Sequence, residues 1–410
     1  MSNVTEKQKQ NYLTDRRKWN ERFFSMPLYK RFFQKIERLN KHITFGLLGK
    51  ILRVKRVDGK LSIDTLSSIL IIRQDALGDM IVTSPLWRIL KMRKPSLTIG
   101  VAGSFRNLEL LRADTGIDHL YNFALPTKAL RKTEFAKSRS VGYDLVIACK
   151  FDQKTRGAIL ARKASQHGYS AMIVPDNGEA HHKIISKTVT LPPSEKPMQM
   201  ILQLQYLLEN TIDLHISVDE RRPTLIIEPK TLQETKARID SILARTNTKR
   251  YVVINTESAT EFREWGYENN YFLAKGIIEA RPDTLVFLTS SPLREEALKQ
   301  FLARINTLPN ILYSPTPDMH ELATLIRFCS LVVSPDTSVI HFASAEQKST
   351  IGFYIHENPW LPFRVPAKIF IPKQGSPATS IPFQPVFDAT LQLLDTASAK
   401  SEEMNIYYCE

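Results

Sequence analysis

The run Ser68-Ile-Leu-Ile-Ile72, followed by Arg-Gln-Asp-Ala-Leu-Gly-Asp and an amphipathic stretch to about Lys94, constrains this chain most. Successive branched apolar residues without polar alternation read as a strand buried on both faces, as in parallel sheets covered by helices. A polar turn and a helix follow directly. In an open α/β sheet, ligands bind outside the carboxyl ends of the strands, where this turn lies. Gly78, lacking a Cβ, lets the backbone turn tightly or approach a ligand closely. Asp79 then stands where a general base is useful, although Asp at a helix start is also a common cap.

From about Thr65 the pattern alternates strand and helix, the signature of βαβ units. Strands are expected near 97–101, 119–123 and 143–149, and helices over 105–112, 128–139, 155–163 and 198–209, with an irregular stretch near 175–193. The alternation restarts at Tyr251-Val-Val-Ile-Asn255. Further strands are expected near 284–289, 311–314, 331–333 and 350–353, with helices over 271–280, 293–305, 319–328 and 339–346. The division that follows is a basic helical extension (1–64), a Rossmann-like domain (65–222), a linker (223–250), a second Rossmann-like domain (251–385) and a C-terminal helix and tail (386–410). Two such domains in tandem imply a central cleft that both face, the natural place for a two-substrate site.

Charge separates the extension from the body. Residues 1–66 hold sixteen Lys/Arg against six Asp/Glu, most of the net charge of +14. Between 11 and 57, Trp19, Phe23, Phe32, Ile36 and Leu39 recur at helical spacing among cations, with Pro27 separating two segments and a third running over 45–57. Basic amphipathic helices with aromatic residues suit an anionic membrane surface. Packing on the protein itself or on a second copy is the competing reading. No nucleic-acid-binding motif accompanies the charge, so no nucleic-acid partner is expected. Cys149, Cys329 and Cys409 are far apart and form no Cys-x-x-Cys pair, which argues against a zinc or disulfide framework and fits a reducing compartment. With no signal peptide and no apolar run of membrane-spanning length, a cytoplasmic protein is expected.

Two further stretches carry chemistry. Ser334-Pro-Asp336-Thr337-Ser338-Val-Ile-His341 again runs from a strand into a helix. A helix start offers N–H groups and the positive end of a dipole, so it can hold a diphosphate; Thr337 and Ser338 add hydroxyls, and His341 lies one turn on. An ordinary capped helix with a half-buried histidine is the plainer alternative. The second, Asn255-Thr-Glu-Ser-Ala-Thr-Glu-Phe-Arg263-Glu-Trp265, is a polar loop at a strand's carboxyl end. Arg263 there could neutralise phosphate charge, while Trp265 packs inward.

Together these residues resemble glycosyltransferase family 9, the ADP-heptose:lipopolysaccharide heptosyltransferases. Arg73, Asp75, Gly78 and Asp79 match its Arg-x-Asp-x-x-Gly-Asp turn. Asp336, Thr337, Ser338 and His341 resemble its Asp-Thr-Gly-x-x-His element, and Arg263-Glu264-Trp265 its Lys-Arg-Trp loop. The resemblance covers about residues 67–395. It implies a GT-B fold and inverting, metal-independent transfer of a sugar, heptose from ADP-heptose, onto a lipopolysaccharide-core or related glycolipid acceptor at the inner face of the cytoplasmic membrane. No cofactor beyond the nucleotide-sugar substrate is implied. Asp79 takes the position of the base; Arg73, Asp75, Gly78, Asn255, Arg263, Asp336, Thr337, Ser338 and His341 become substrate-binding candidates. The chain contains no Asp-x-Asp pair, a common metal-binding device of other sugar-nucleotide enzymes. Ser338 stands where the family has Gly, Arg263 where it has Lys, and Glu257 would repel a diphosphate unless it turns outward. These departures leave open a different nucleotide sugar, or a divergent non-catalytic protein scaffolding envelope polysaccharide assembly. A GT-B sugar-nucleotide 2-epimerase is disfavoured by the lack of an acid/base carboxylate set in the second domain.

Overall fold

In the computed structural model, residues 68–72 form a wholly buried strand, as their sequence dictates. The structure describes residues 28–410 except 52–53, 150–153, 167, 175–178, 194–196, 306–307, 316–317, 397–402 and 410. These fold as two compact units. The first holds the described residues up to Asp75, with Leu86–Phe105 and Gly116–Val218. The second holds Ala76–Pro85, Arg106–Thr115 and the chain from Asp219 onward.

The first unit contains the strands β1 (Ser68–Ile72), β2 (Thr98–Gly103), β3 (His119–Asn122), β4 (Leu145–Ala148), β5 (Tyr169–Ile173) and β6 (Lys187–Val189). They form one all-parallel sheet in the order β3-β2-β1-β4-β5-β6. β5 and β6 occupy a region whose sequence gave no strand signal: Tyr-Ser-Ala-Met-Ile mixes small and polar residues, and Lys-Thr-Val is three residues long. At the N-terminal end, α1 (Leu28–Ile51) is one continuous helix, where the sequence suggested two segments. Its Phe45 is buried and meets the His181 ring edge-on at 5.6 Å. Lys183 Nζ donates to the His42 carbonyl at 3.1 Å, and Gly49 passes so close to the Lys183 carbonyl that a Cβ there would collide. The expected helical segment before Pro27 lies outside the described residues.

The second unit contains β7 (Arg250–Asn255), β8 (Thr284–Thr289), β9 (Ile311–Tyr313), β10 (Leu331–Pro335), β11 (Ser349–Phe353), β12 (Ala367–Ile371) and β13 (Met404–Tyr408). This sheet is also all parallel, in the order β13-β12-β11-β10-β7-β8-β9. Its core joins the apolar faces of β7, β8 and β10 to Trp265, Leu273, Ile277 and Val386. The region read as a linker forms a helix, Pro229–Thr246, with Pro at its first position. The region read as a terminal helix and tail is likewise part of the unit: helix Phe383–Asp395 packs into the core, and β13 adds an edge strand beside β12. No helix among the described residues is long and apolar enough to cross a membrane.

Strand order reverses once in each sheet at corresponding positions, between β1 and β4 and between β7 and β10. Beyond the carboxyl ends of such strand pairs is where open α/β sheets bind ligands.

Candidate active site

At the first reversal point the backbone is tied shut by its own side chains. Arg73, directly after β1, is 1 % exposed, and its Nη1 donates to the Cys149 carbonyl just beyond β4. Its Nε lies 3.6 Å from Asp75 Oδ2. Arg73 thus bridges the two strand ends and orients Asp75, a positioning role that its burial favours over direct contact with a substrate. The chain then enters α2 (Leu77–Arg93). Asp79 sits in the first turn, where its Oδ2 accepts the Ala76 N–H at 2.7 Å. A carboxylate there caps the helix and interacts favourably with the positive dipole end. A capping contact expected of Asp79 is thus present.

The second reversal point is a polar knot beneath a helix start. Asn255, buried at the end of β7, lies with its Nδ2 2.9 Å from the Glu257 carbonyl, 3.0 Å from Ser334 Oγ and 3.2 Å from Thr337 Oγ1. Thr337 caps α3 (Ser338–Ala345), accepting the Val339 N–H at 3.3 Å. Asn255 Nδ2 and Thr337 Oγ1 thus help to fix this helix start. Asp336 precedes it. Its Oδ2 accepts from Asn358 Nδ2 at 2.9 Å and lies 3.8 Å from Arg263 Nη1. Burial raises its pKa above the usual carboxylate range, while Asn358, Arg263 and His356 pull it back.

The loop carrying Arg263 is held by its neighbours. Trp265 is fully buried, donates Nε1–H to the Ile381 carbonyl at 3.0 Å and stacks on Phe383. Glu264 accepts the Ser258 N–H at 3.1 Å and meets Arg294 Nη1 at 3.4 Å. Arg263 keeps more than a third of its side chain exposed beside Asp336. The Glu257 carboxylate accepts both the N–H and the hydroxyl of Ser291, each at 2.7 Å, so its charge is directed to that loop.

Within the second unit the two motifs meet. Gly78 lies against α3: a Cβ added there would collide with the His341 ring and come within 3.3 Å of Ser338 Cα. Glycine is needed because the start of α2 approaches α3 too closely for any side chain. His341 is buried, with its ring edge-on to Trp360 at 5.9 Å. The structure thus brings Gly78 together with Ser338 and His341, Asn255 with Thr337, and Arg263 with Asp336. Arg73 meets both Asp75 and the Cys149 carbonyl. Sequence reasoning missed Asn358, Trp360 and Ser291, and gave Ser334 no role within the stretch that it opens. Asn358 and Trp360 had a signal, a polar residue, Pro and Trp in the loop after a buried strand; Ser291 had none.

Two all-parallel sheets, each with polar loops gathered at the carboxyl ends beside a reversal point, are the architecture of a GT-B fold. The glycosyltransferase family 9 (heptosyltransferase) model matches residues 135–367, more than half of the chain, which therefore belongs to that family. A Haemophilus influenzae protein to which glycosyltransferase activity has been ascribed is 23 % identical over 297 residues, spanning 70 % of this chain and 82 % of its own. The family 9 glycosyl transferase of Veillonella parvula superposes with a TM-score of 0.66 at 17 % identity, over 82 % of this chain and 99 % of that one. Escherichia coli ADP-heptose lipopolysaccharide heptosyltransferase II gives 0.62 at 19 % identity, over 81 % and 100 %. Escherichia coli heptosyltransferase WaaC, solved with ADP-2-deoxy-2-fluoro heptose, gives 0.60 at 16 % identity, over 80 % and 99 %. The protein is a glycosyltransferase.

Proposed function

We propose that this enzyme transfers heptose from ADP-heptose, with inversion and without a metal or other cofactor, onto a hydroxyl of a lipopolysaccharide-core or related glycolipid acceptor. Such an acceptor puts it in the cytoplasm, at the inner face of the cytoplasmic membrane. The reading rests chiefly on one observation: the turn bearing Asp79 packs, through Gly78, on the helix start at Ser338 and His341. In the proposed reaction Asp79 takes the proton of the acceptor hydroxyl as its oxygen bonds to the anomeric carbon. The bond from that carbon to the diphosphate oxygen breaks, and ADP leaves with the electron pair. Positive charge from Arg263 and the dipole of α3 stabilises the departing diphosphate, while Asp336 is suited to accept hydrogen bonds from donor-sugar hydroxyls.

A second reading keeps the chemistry and changes the donor. It is favoured by Ser338, which stands at the crowded contact with Gly78. The experiment is sugar transfer by the wild type and Asp79→Asn, read by mass spectrometry of the product with ADP-heptose and a panel of other nucleotide sugars. Loss of a general base lowers the rate by about 10²–10⁴-fold. An Asp79→Asn enzyme that turns over an active donor at the wild-type rate refutes the base. Transfer from another nucleotide sugar but not from ADP-heptose selects the second reading.

A further inference from the structure

Helix α1 has two apolar faces, and among the described residues only one packs on the first unit. Phe45 is 3 % exposed in the core of the first unit, where Leu48 packs beside it. Ile36, Leu39, Ile43, Leu47 and Ile51 are 39–74 % exposed. At about 100° per residue these five fall within an arc of about 120° centred opposite Phe45, and they run for about 22 Å along the axis. The helix cannot roll to hide them, because Lys183 Nζ bonds to the His42 carbonyl and the contact at Gly49 fixes the other face.

We propose that this stripe is the surface by which the protein docks on an anionic lipid bilayer, α1 lying in the plane of the headgroups. Charge selects the occupant. The helix sequence carries six Lys/Arg and one Glu, with Lys50 exposed near its C-terminal end. A second copy of α1 would bring like charge to like. So would residues 1–27 of this chain, which hold six Lys/Arg against three Asp/Glu. A lipid surface bearing negative headgroups complements both the aliphatic stripe and the cations. Docking is a binding property and stands apart from the transfer reaction proposed above.

The test uses the full chain, sedimented with vesicles of phosphatidylcholine alone and of phosphatidylcholine mixed with phosphatidylglycerol. The wild type is expected to pellet with the anionic vesicles, and salt at roughly 0.5 M should weaken this. The double variant Leu39→Asp/Leu47→Asp changes two exposed side chains; its thermal midpoint and circular dichroism are expected to match the wild type, with lipid partitioning lower by at least about tenfold. Leu39→Met/Leu47→Met should bind as the wild type does. Three results overturn the proposal: a wild type that ignores anionic vesicles, an aspartate variant that binds undiminished, or a wild-type dimer in light scattering that the aspartate variant converts to monomer.

Discussion

Replacing Gly78 by Ala adds one methyl at the point where the two sequence motifs touch. The new Cβ meets the His341 ring and comes within 3.3 Å of Ser338 Cα. Neither neighbour yields easily: Ser338 offers backbone, and His341 is 6 % exposed with Trp360 edge-on to it. Overpacking of this kind costs about 1–3 kcal/mol. Helix propensity works the other way, Ala being favoured over Gly by up to about 1 kcal/mol in a helix interior and by less in a first turn. The net expectation is a loss of about 1–2 kcal/mol. In a folding unit of roughly 200 residues that lowers the melting temperature by about 2–8 °C. Asp79 is the next residue, and a displacement approaching 1 Å costs on the order of 10²-fold in rate. Transfer should therefore fall by about ten- to a hundredfold, with kcat affected more than KM. The assays are calorimetric melting and product formation for wild type, Gly78→Ala, His341→Ala and the double variant. Removing the imidazole should relieve the collision, so the two substitutions should couple by at least about 0.5 kcal/mol. A Gly78→Ala protein with wild-type stability and rate, or a strictly additive cycle, refutes the close-contact reasoning.

Asp336→Asn should change how stability depends on pH. A carboxyl whose pKa is raised on folding contributes stability that is complete below the unfolded value of 3.8 and is lost as pH rises through the folded one. The melting-temperature difference, variant minus wild type, is therefore expected to become more positive from acid to neutral pH, and a flat difference across that range counts against the assignment. Asn358→Ala removes the donor 2.9 Å from Asp336; with about 1–3 kcal/mol at stake for a buried unsatisfied partner, kcat/KM for the donor sugar should fall by roughly five- to 150-fold, as steady-state kinetics would show. Asn255→Leu deletes the amide that ties β7 to Ser334 and Thr337, so denaturant unfolding should report a loss of about 1–3 kcal/mol, and an unchanged midpoint would mean that α3 is held by other contacts.

The fold was legible where two-sided burial coincided with an unbroken aliphatic run. β1, β7, β8 and β10 are wholly or almost wholly buried runs of aliphatic residues, and such runs admit few readings in a soluble α/β chain. Legibility failed at the margins of the sheets. β6 is three residues long, β13 is an edge strand with Tyr408 exposed, and β12 carries a lysine in mid-strand. That Lys368 is buried and bonds to Gln392, a partner on the following helix that no local pattern could supply. α1 was read in pieces because it carries apolar residues on a buried face, at Phe45, and on an exposed one, from Ile36 to Ile51, so no single hydrophobic periodicity describes it.

The site was legible as residue types and illegible as roles, and Glu257 shows why. From sequence alone a carboxylate two residues beyond β7 threatens any diphosphate nearby, by simple Coulomb repulsion. Ser291, thirty-four positions later, answers that threat with an N–H and a hydroxyl. The same inversion applies to Arg73, a cation that its neighbours turn into a brace, and to Asn255, which looks like a ligand and serves as a tie beneath the next helix. In each case the deciding partner comes from another strand's loop, across the reversal point or beside it. Parallel sheets gather such loops at one edge while their sequence separations stay large. Motif residues therefore mark where the site is. What each does depends on bonds that only the assembled edge provides, as at Arg263, which meets Asp336 at 3.8 Å while a little over a third of its side chain stays exposed.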